Sequence, residues 1–138
     1  MSTFPLEILT PEREFFSGEA EGLIVTLSDG LYTILAGHAP MVAALDVGEL
    51  RFKRHGQWHE CAATEGFLEV TAEGQVLVFS QACELAEEID AARASAAAQR
   101  AKDRLASSRS LHEYELSRIA LTRAMNRLRV TSRGRYIK

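Results

Sequence analysis

Long apolar runs, cysteine frameworks and aromatic residues are scarce in this 138-residue chain, and each scarcity removes a class of function. No stretch approaches the roughly 18–20 apolar residues that a membrane helix needs. The opening Met1-Ser2-Thr3-Phe4-Pro5 lacks the basic and apolar regions of a signal peptide, so the expectation is residence on the cytosolic side. Cys61 and Cys83 are the only cysteines. Two such residues without metal-ligand spacing predict inert thiols in a reducing compartment rather than a disulfide framework. No Gly-rich phosphate loop and no nucleophile-elbow pattern occurs. The four histidines, His38, His55, His59 and His112, are scattered. His55 and His59 stand four apart, which suits a metal only on a helix, and Gly56 between them argues against one. The isolated chain therefore reads as not an enzyme, with no metal site.

What is present is a division. The net charge of −3 combines two opposed parts. Residues 1–85 carry thirteen acidic and four basic side chains, and residues 86–138 carry six acidic and twelve basic ones. Such a split predicts two modules with different partners. A basic helical tail suits nucleic acid or an acidic protein surface, and composition does not choose between them.

Residues 1–85 read as an all-β module. Short extended runs, Phe4 to Leu9, Arg13 to Phe16, Leu23 to Leu27, Val47 to Arg54, Phe67 to Val70 and Val76 to Phe79, are separated by turn residues. Ser17-Gly18 and Ser28-Asp29-Gly30 end two of them, and Glu73-Gly74 makes a hairpin-like turn. Strands at this spacing indicate an antiparallel sandwich or barrel. Residues 86–138 change character. Proline is absent, alanine dominates, and Asp90 to Ala106 is dense in helix formers. Ser107-Ser108-Arg109-Ser110 breaks the helix, and Ser110 with Glu113 has capping-box spacing for a second one. Leu111, Tyr114, Leu121, Met125 and Leu128 mark an apolar stripe on that helix, narrowed by Arg118. A four-residue connection predicts an antiparallel hairpin. The fold class expected is thus α+β, an N-terminal antiparallel β-sandwich (1–85) followed by a two-helix hairpin (86–138). A seam rich in alanine buries little area, so the hairpin is expected to be weakly held and able to open.

Specific residues then resemble one family. Ile34-Leu35-Ala36-Gly37-His38-Ala39-Pro40 is similar to the I-L-P-G-H-A-P loop of the epsilon subunit of F-type ATP synthases. Thr64 to Val70 resembles that family's G-G-F-L-E-V strand, and Glu84 to Ala94 resembles its entry into the first helix, with the I/L-D-x-x-R-A motif. Ile8 to Arg13 and Phe16 to Gly18 fit as well, and the likeness runs to about Val130. Ala36 departs from the usual proline and Thr33 from a frequent glycine, which leaves the backbone of that loop open.

The resemblance implies a non-catalytic rotor subunit at the cytoplasmic face of a bacterial cell membrane. It would grip the gamma subunit and the c-subunit ring, with Gly37, His38 and Pro40 in the contact loop. For His38 itself, satisfying turn carbonyls beside Pro40 is the plainer reading. The resemblance also implies that the hairpin can extend toward the catalytic alpha/beta head and inhibit ATP hydrolysis. No cofactor is required, and ATP is the expected regulatory ligand. The family's ATP-binding members use residues matching Glu84, Asp90, Arg93, Arg100, Arg123 and Arg127, and all six occur here. Arg93 with Arg100, and Arg123 with Arg127, each share a helix face, so converging helices would bring four guanidinium groups to one triphosphate. The plain alternative is a solvated helix surface with Asp90 as an N-cap. Arg118, Arg129, Arg133 and Arg135 add to a cationic second helix. A nucleic-acid module remains the competing reading. It leaves the β-module motifs unexplained, and Tyr114 and Tyr136 are the only aromatics in the basic part.

Overall fold

The computed structural model describes residues 2–136, with side-chain surroundings through residue 132. The side chains of Arg133, Arg135 and Tyr136 lie outside the described residues. The chain divides after Leu85 into two compact units.

The first unit contains ten strands: β1 (Phe4–Leu9), β2 (Glu14–Ala20), β3 (Gly22–Leu27), β4 (Gly30–Ile34), β5 (Met41–Leu45), β6 (Gly48–Arg54), β7 (Gln57–Ala63), β8 (Gly66–Val70), β9 (Val76–Ser80) and β10 (Cys83–Leu85). They form two five-stranded sheets, ordered β2-β1-β9-β8-β5 and β10-β7-β6-β3-β4. Strand pairs run antiparallel except β1 with β9, which are parallel. Alternation decides which side faces in. Leu6 and Ile8 of β1, Leu50 and Phe52 of β6, and Val76 and Val78 of β9 are buried, while the residues between them are not. The inner faces meet in one core that includes Leu23, Ile34, Leu68 and both cysteines, Cys61 and Cys83, as free thiols.

Two tight turns show why particular residues stand where they do. His55 and Gly56 both have positive φ between β6 and β7, the conformation of a two-residue type I′ hairpin turn. The two histidines therefore stand on a turn and a strand, where His59 stacks on Phe52, and not on a helix face. Gly66 opens β8 where its Cα faces the Phe79 carbonyl so closely that any Cβ would overlap it. Strand β2 continues through Ser17-Gly18, where the sequence predicted a break, because pairing with β1 carries the chain on to Ala20. A register shift between Ile8 and Leu9 absorbs the mismatch at the other end of that pair.

The second unit begins with a 3-10 turn (Ala86–Glu88) and continues as α1 (Ala91–Ala106) and α2 (Leu111–Tyr136). Asp90 caps α1, its Oδ1 accepting from the Arg93 N–H at 3.1 Å. At α2 the Ser110 hydroxyl accepts from the Glu113 N–H at 3.1 Å. The Glu113 carboxylate reaches past the cap residue to the Arg109 N–H at 2.8 Å, so the reciprocal half of the box closes one residue earlier than expected.

The seam between the helices differs from the predicted stripe. On α1 the buried residues are Ala94, Ala98 and Ala101. On α2 they include Ser117, Ala124 and Thr131, spaced by seven, with Leu121 and Leu128 half-buried between them. Leu111 is 78% exposed, and Tyr114 and Met125 are exposed too. Large apolar residues were the wrong guide, because close approach of two helices favours small ones at the contact. Arg118 is outside the seam and pairs with Glu115 at 3.0 Å. The Thr131 hydroxyl donates to the Ala86 carbonyl at 3.4 Å, tying the 3-10 turn to α2. No helix among the described residues is long and apolar enough to cross a membrane.

Candidate functional site

The arginines predicted to share a ligand fall on one flank of the hairpin. A groove beside the seam is lined by Ala101, Arg104 and Ser107 from the α1 side and by Glu113, Leu116 and Ala120 from α2. The helical repeat extends each wall away from the connection. Arg104, Arg100, Ala97 and Arg93 follow one another at steps of four and three on α1. Leu116, Ala120, Arg123 and Arg127 do the same on α2. By this repeat the four arginine positions follow the two walls of the groove beyond the residues that line it.

Their environments differ by helix. Arg93 and Arg100 are exposed, whereas Arg123 and Arg127 are half-buried, with both Nε atoms shielded from solvent. Arg123 and Arg127 also take part in interactions within the chain, so the α2 pair is the more firmly positioned. Asn126 stands beside them, 2% exposed. Asp90 is exposed and serves as the N-cap, which was the plain reading of that residue. Its other carboxylate oxygen makes no hydrogen bond among the described residues. Glu84 belongs to the first unit, on β10 opposite Ala62. Arg104 at the groove was missed by sequence reasoning. Its spacing of four from Arg100 is the signal that would have found it.

The second candidate is the turn after β4. Gly37 adopts φ +82°, a conformation that favours glycine, and the His38 N–H donates to the Leu35 carbonyl at 3.2 Å. His38 Nδ1 lies 2.7 Å from the Ala39 carbonyl, which can only accept, so Nδ1 carries the proton. Nε2 lies 2.7 Å from the Tyr32 hydroxyl, which can accept from or donate to it, with the two rings edge to face. His38 thus satisfies a turn carbonyl and locks the turn to β4, while Pro40 is exposed. Ala36 in the usual proline position is compatible with this closed turn.

Among the described residues no group of His, Cys, Asp or Glu could hold a metal ion. The Arg118 pKa is raised by its hydrogen bond to Glu115 and by that carboxylate's charge. Arg118 lies on an exposed face and not in the groove.

Two family models divide the chain between them. Residues 3–86 match the beta-sandwich domain of the ATP synthase delta/epsilon chain, and residues 87–132 match its long alpha-helix domain. The chain belongs to the ATP synthase delta/epsilon family. The ATP synthase epsilon chain of Ruminiclostridium cellulolyticum is 50% identical over 135 residues, covering 98% of this chain and 100% of the relative. That of Caldanaerobacter subterraneus is 43% identical over 132 residues, 95% of each. Among solved structures, a chain of the Euglena gracilis mitochondrial ATP synthase matches with a TM-score of 0.80 at 19% identity, covering 99% of this chain and 82% of that one. At that identity the likeness speaks for the fold. Membership accounts for the sandwich motifs that the nucleic-acid reading left unexplained.

Proposed function

We propose that this chain is a non-catalytic central-stalk subunit of an F-type ATP synthase, coupling ion translocation to ATP synthesis at the cytoplasmic face of a bacterial membrane. The observation that carries this reading is 50% identity to an ATP synthase epsilon chain along 98% of the sequence, through both units. The sandwich is the rotor-binding unit, gripping the gamma subunit and resting on the c-subunit ring through the turn of Gly37, His38 and Pro40. Solved assemblies with chains of this fold, from Euglena and Tetrahymena, contain a c-ring, which supports that pairing.

The hairpin is the regulatory unit. Extended, its cationic α2 meets an acidic segment of the catalytic alpha/beta head and resists hydrolytic rotation. Folded, it holds ATP, with Arg93, Arg100, Arg123 and Arg127 on the phosphates and Asp90 as an acceptor for the ribose. A role for Glu84 rests on the family resemblance alone. ATP releases inhibition by binding the folded form in preference to the extended one.

Calorimetry of the full chain with ATP tests the ligand, and ATP hydrolysis by the assembled complex tests the switch. One-to-one binding lost in Arg127→Ala, with faster hydrolysis after truncation at Leu85, is the expected pair of results. No binding at millimolar ATP would reduce the arginines to a solvated or head-contacting face. Unchanged hydrolysis after truncation would remove the inhibitory role.

A further inference from the structure

Two hydroxyl side chains are buried in the helical unit, among the described residues. Thr131 donates to the Ala86 carbonyl at 3.4 Å. Ser117 is 7% exposed and has no hydrogen-bond partner among the described residues. Other hydroxyls of the unit show the ordinary solution, a bond to the carbonyl four residues back. Thr122 donates in this way to Arg118 at 2.9 Å, and Ser108 to Arg104 at 2.9 Å. Ser117 makes no such bond to Glu113. A buried hydroxyl without a partner costs stability, and the alanine found at neighbouring seam positions would avoid that cost.

Ser117 does line the groove beside the seam, a cavity of about 290 Å³ at the connection end of the hairpin. Ala101, Leu116 and Ala120 make its walls largely apolar, and Leu116 is 56% exposed. Arg104 lines the same space. Its guanidinium takes part in no hydrogen bond or ion pair among the described residues, although Glu113 lines the groove as well. Side chains lean toward the N-terminus of their helix, so Arg104 leans away from the connection and Glu113 toward it. Glu113 is held there by the Arg109 N–H at 2.8 Å. A cation and a buried hydroxyl thus face one apolar space, with a carboxylate at its connection end.

We propose that this groove is a small-molecule site of its own, in which Arg104 and Ser117 bind the head of an amphipathic monocarboxylate. Ala101, Leu116 and Ala120 receive its carbon chain. A carboxylate offers acceptors to the guanidinium and to the hydroxyl together. Apolar walls with a few polar groups are the usual composition of a small-ligand site. Glu113 repels further negative charge, which disfavours a phosphate or the tail of a nucleotide. One wall belongs to each helix, so the ligand binds the closed hairpin and stabilises it by mass action. The site stands at the opposite end of α1 from the Asp90 cap, and it does not depend on the nucleotide reading.

The test titrates the isotope-labelled full chain with sodium hexanoate and follows the backbone amide resonances. Saturable shifts should centre on Ala101, Arg104, Ser117 and Ala120, with a dissociation constant of roughly 1–10 mM. Arg104→Gln and Ser117→Ala should each weaken binding by about fivefold or more. Ser117→Ala should leave the thermal midpoint of the free protein equal or higher, since the hydroxyl has no partner to lose. A lowered midpoint would show a structural role for that hydroxyl and remove the ground for the site. No saturable shift, equal shifts with uncharged 1-hexanol, or binding that both variants retain would overturn the inference. If hexanoate has no effect and Arg104→Gln weakens binding of ATP but not of ADP, the pair belongs to the nucleotide's terminal phosphate instead.

Discussion

The two units solve the packing problem with different materials. The sandwich buries Leu6, Ile8, Leu23, Ile34, Leu50 and Leu68 almost completely, each a large branched side chain fixed between two sheets. The hairpin seam sets Ala94, Ala98 and Ala101 against Ser117, Ala124 and Thr131, with only Leu121 and Leu128 as half-buried larger apolar residues between them on α2. Full burial of a leucine or isoleucine contributes about 1.5–3 kcal/mol, whereas a methyl group contributes about 0.8. The coupling role proposed for the sandwich is served by the first kind of interior. The opening proposed for the hairpin is served by the second, because a seam of small side chains exposes less apolar surface per residue when it parts. Leu111, Leu116 and Met125 of α2 are exposed and so add nothing that opening would remove.

The comparison breaks most readily at the sandwich core. Leu6→Ala should cost about 2–5 kcal/mol, the range for truncating a buried leucine into a rigid site. The single tryptophan, Trp58, sits on β7 and reports on the sandwich, while ellipticity at 222 nm reports mainly on the helices. Urea unfolding followed by both signals should show the fluorescence midpoint falling well below that of wild type. The helical midpoint should move less. Equal displacement of both midpoints would mean that the units unfold as one, and the contrast drawn above would fail.

A change of about 1 kcal/mol sharpens the comparison on the helical side. Asp90→Ala removes the side chain that accepts the Arg93 N–H, and loss of such a cap typically costs about that much. Asp90→Asn keeps a capping oxygen and should leave the helical midpoint close to wild type. The same pair separates the two roles assigned to Asp90. If the carboxylate accepts from ribose, Asn should weaken ATP binding while the helix stays intact. If Asn binds ATP like wild type, Asp90 is a cap and nothing more.

How much of this was legible in sequence follows the same division. Strands with strict alternation, such as β1 and β6, read directly, as did the Glu73-Gly74 hairpin, where Gly74 has φ +87°. Strands β4, β5 and β7 did not. β5 pairs only with β8 at a sheet edge, and Val42 is 74% exposed, so its alternation carries little contrast. In β7 the pattern ends in Cys61, Ala62 and Ala63, buried in succession, which no period of two describes. On α2 apolar residues occur around most of the circumference. Periodicity therefore selected Leu111, Tyr114 and Met125, and the actual seam is marked by residue size. The arginine positions were legible through family motifs. Their common flank follows from the helix repeat only once the groove beside the seam fixes which side is which.

The smallest effect is expected at Arg118, whose pKa is displaced upward. Its guanidinium donates to Glu115 at 3.0 Å, and that bond, followed by the carboxylate's charge, raises its pKa above the usual arginine range. A folded-state value above the unfolded one means the contribution is complete below the unfolded pKa and is lost only as pH rises through the folded one. Both limits lie beyond the pH range in which proteins are studied. Across neutral pH the pair is constantly charged, and both side chains are about half exposed, so solvent and salt screen them. Arg51 in the sandwich provides the contrast, held between two carboxylates with side chains that are three-quarters or more buried. Arg118→Ala should therefore leave the thermal midpoint unchanged within error from pH 6 to pH 9, at low and at high salt. A clear, salt-sensitive loss would show that surface charge, and not the alanine seam, holds the hairpin closed.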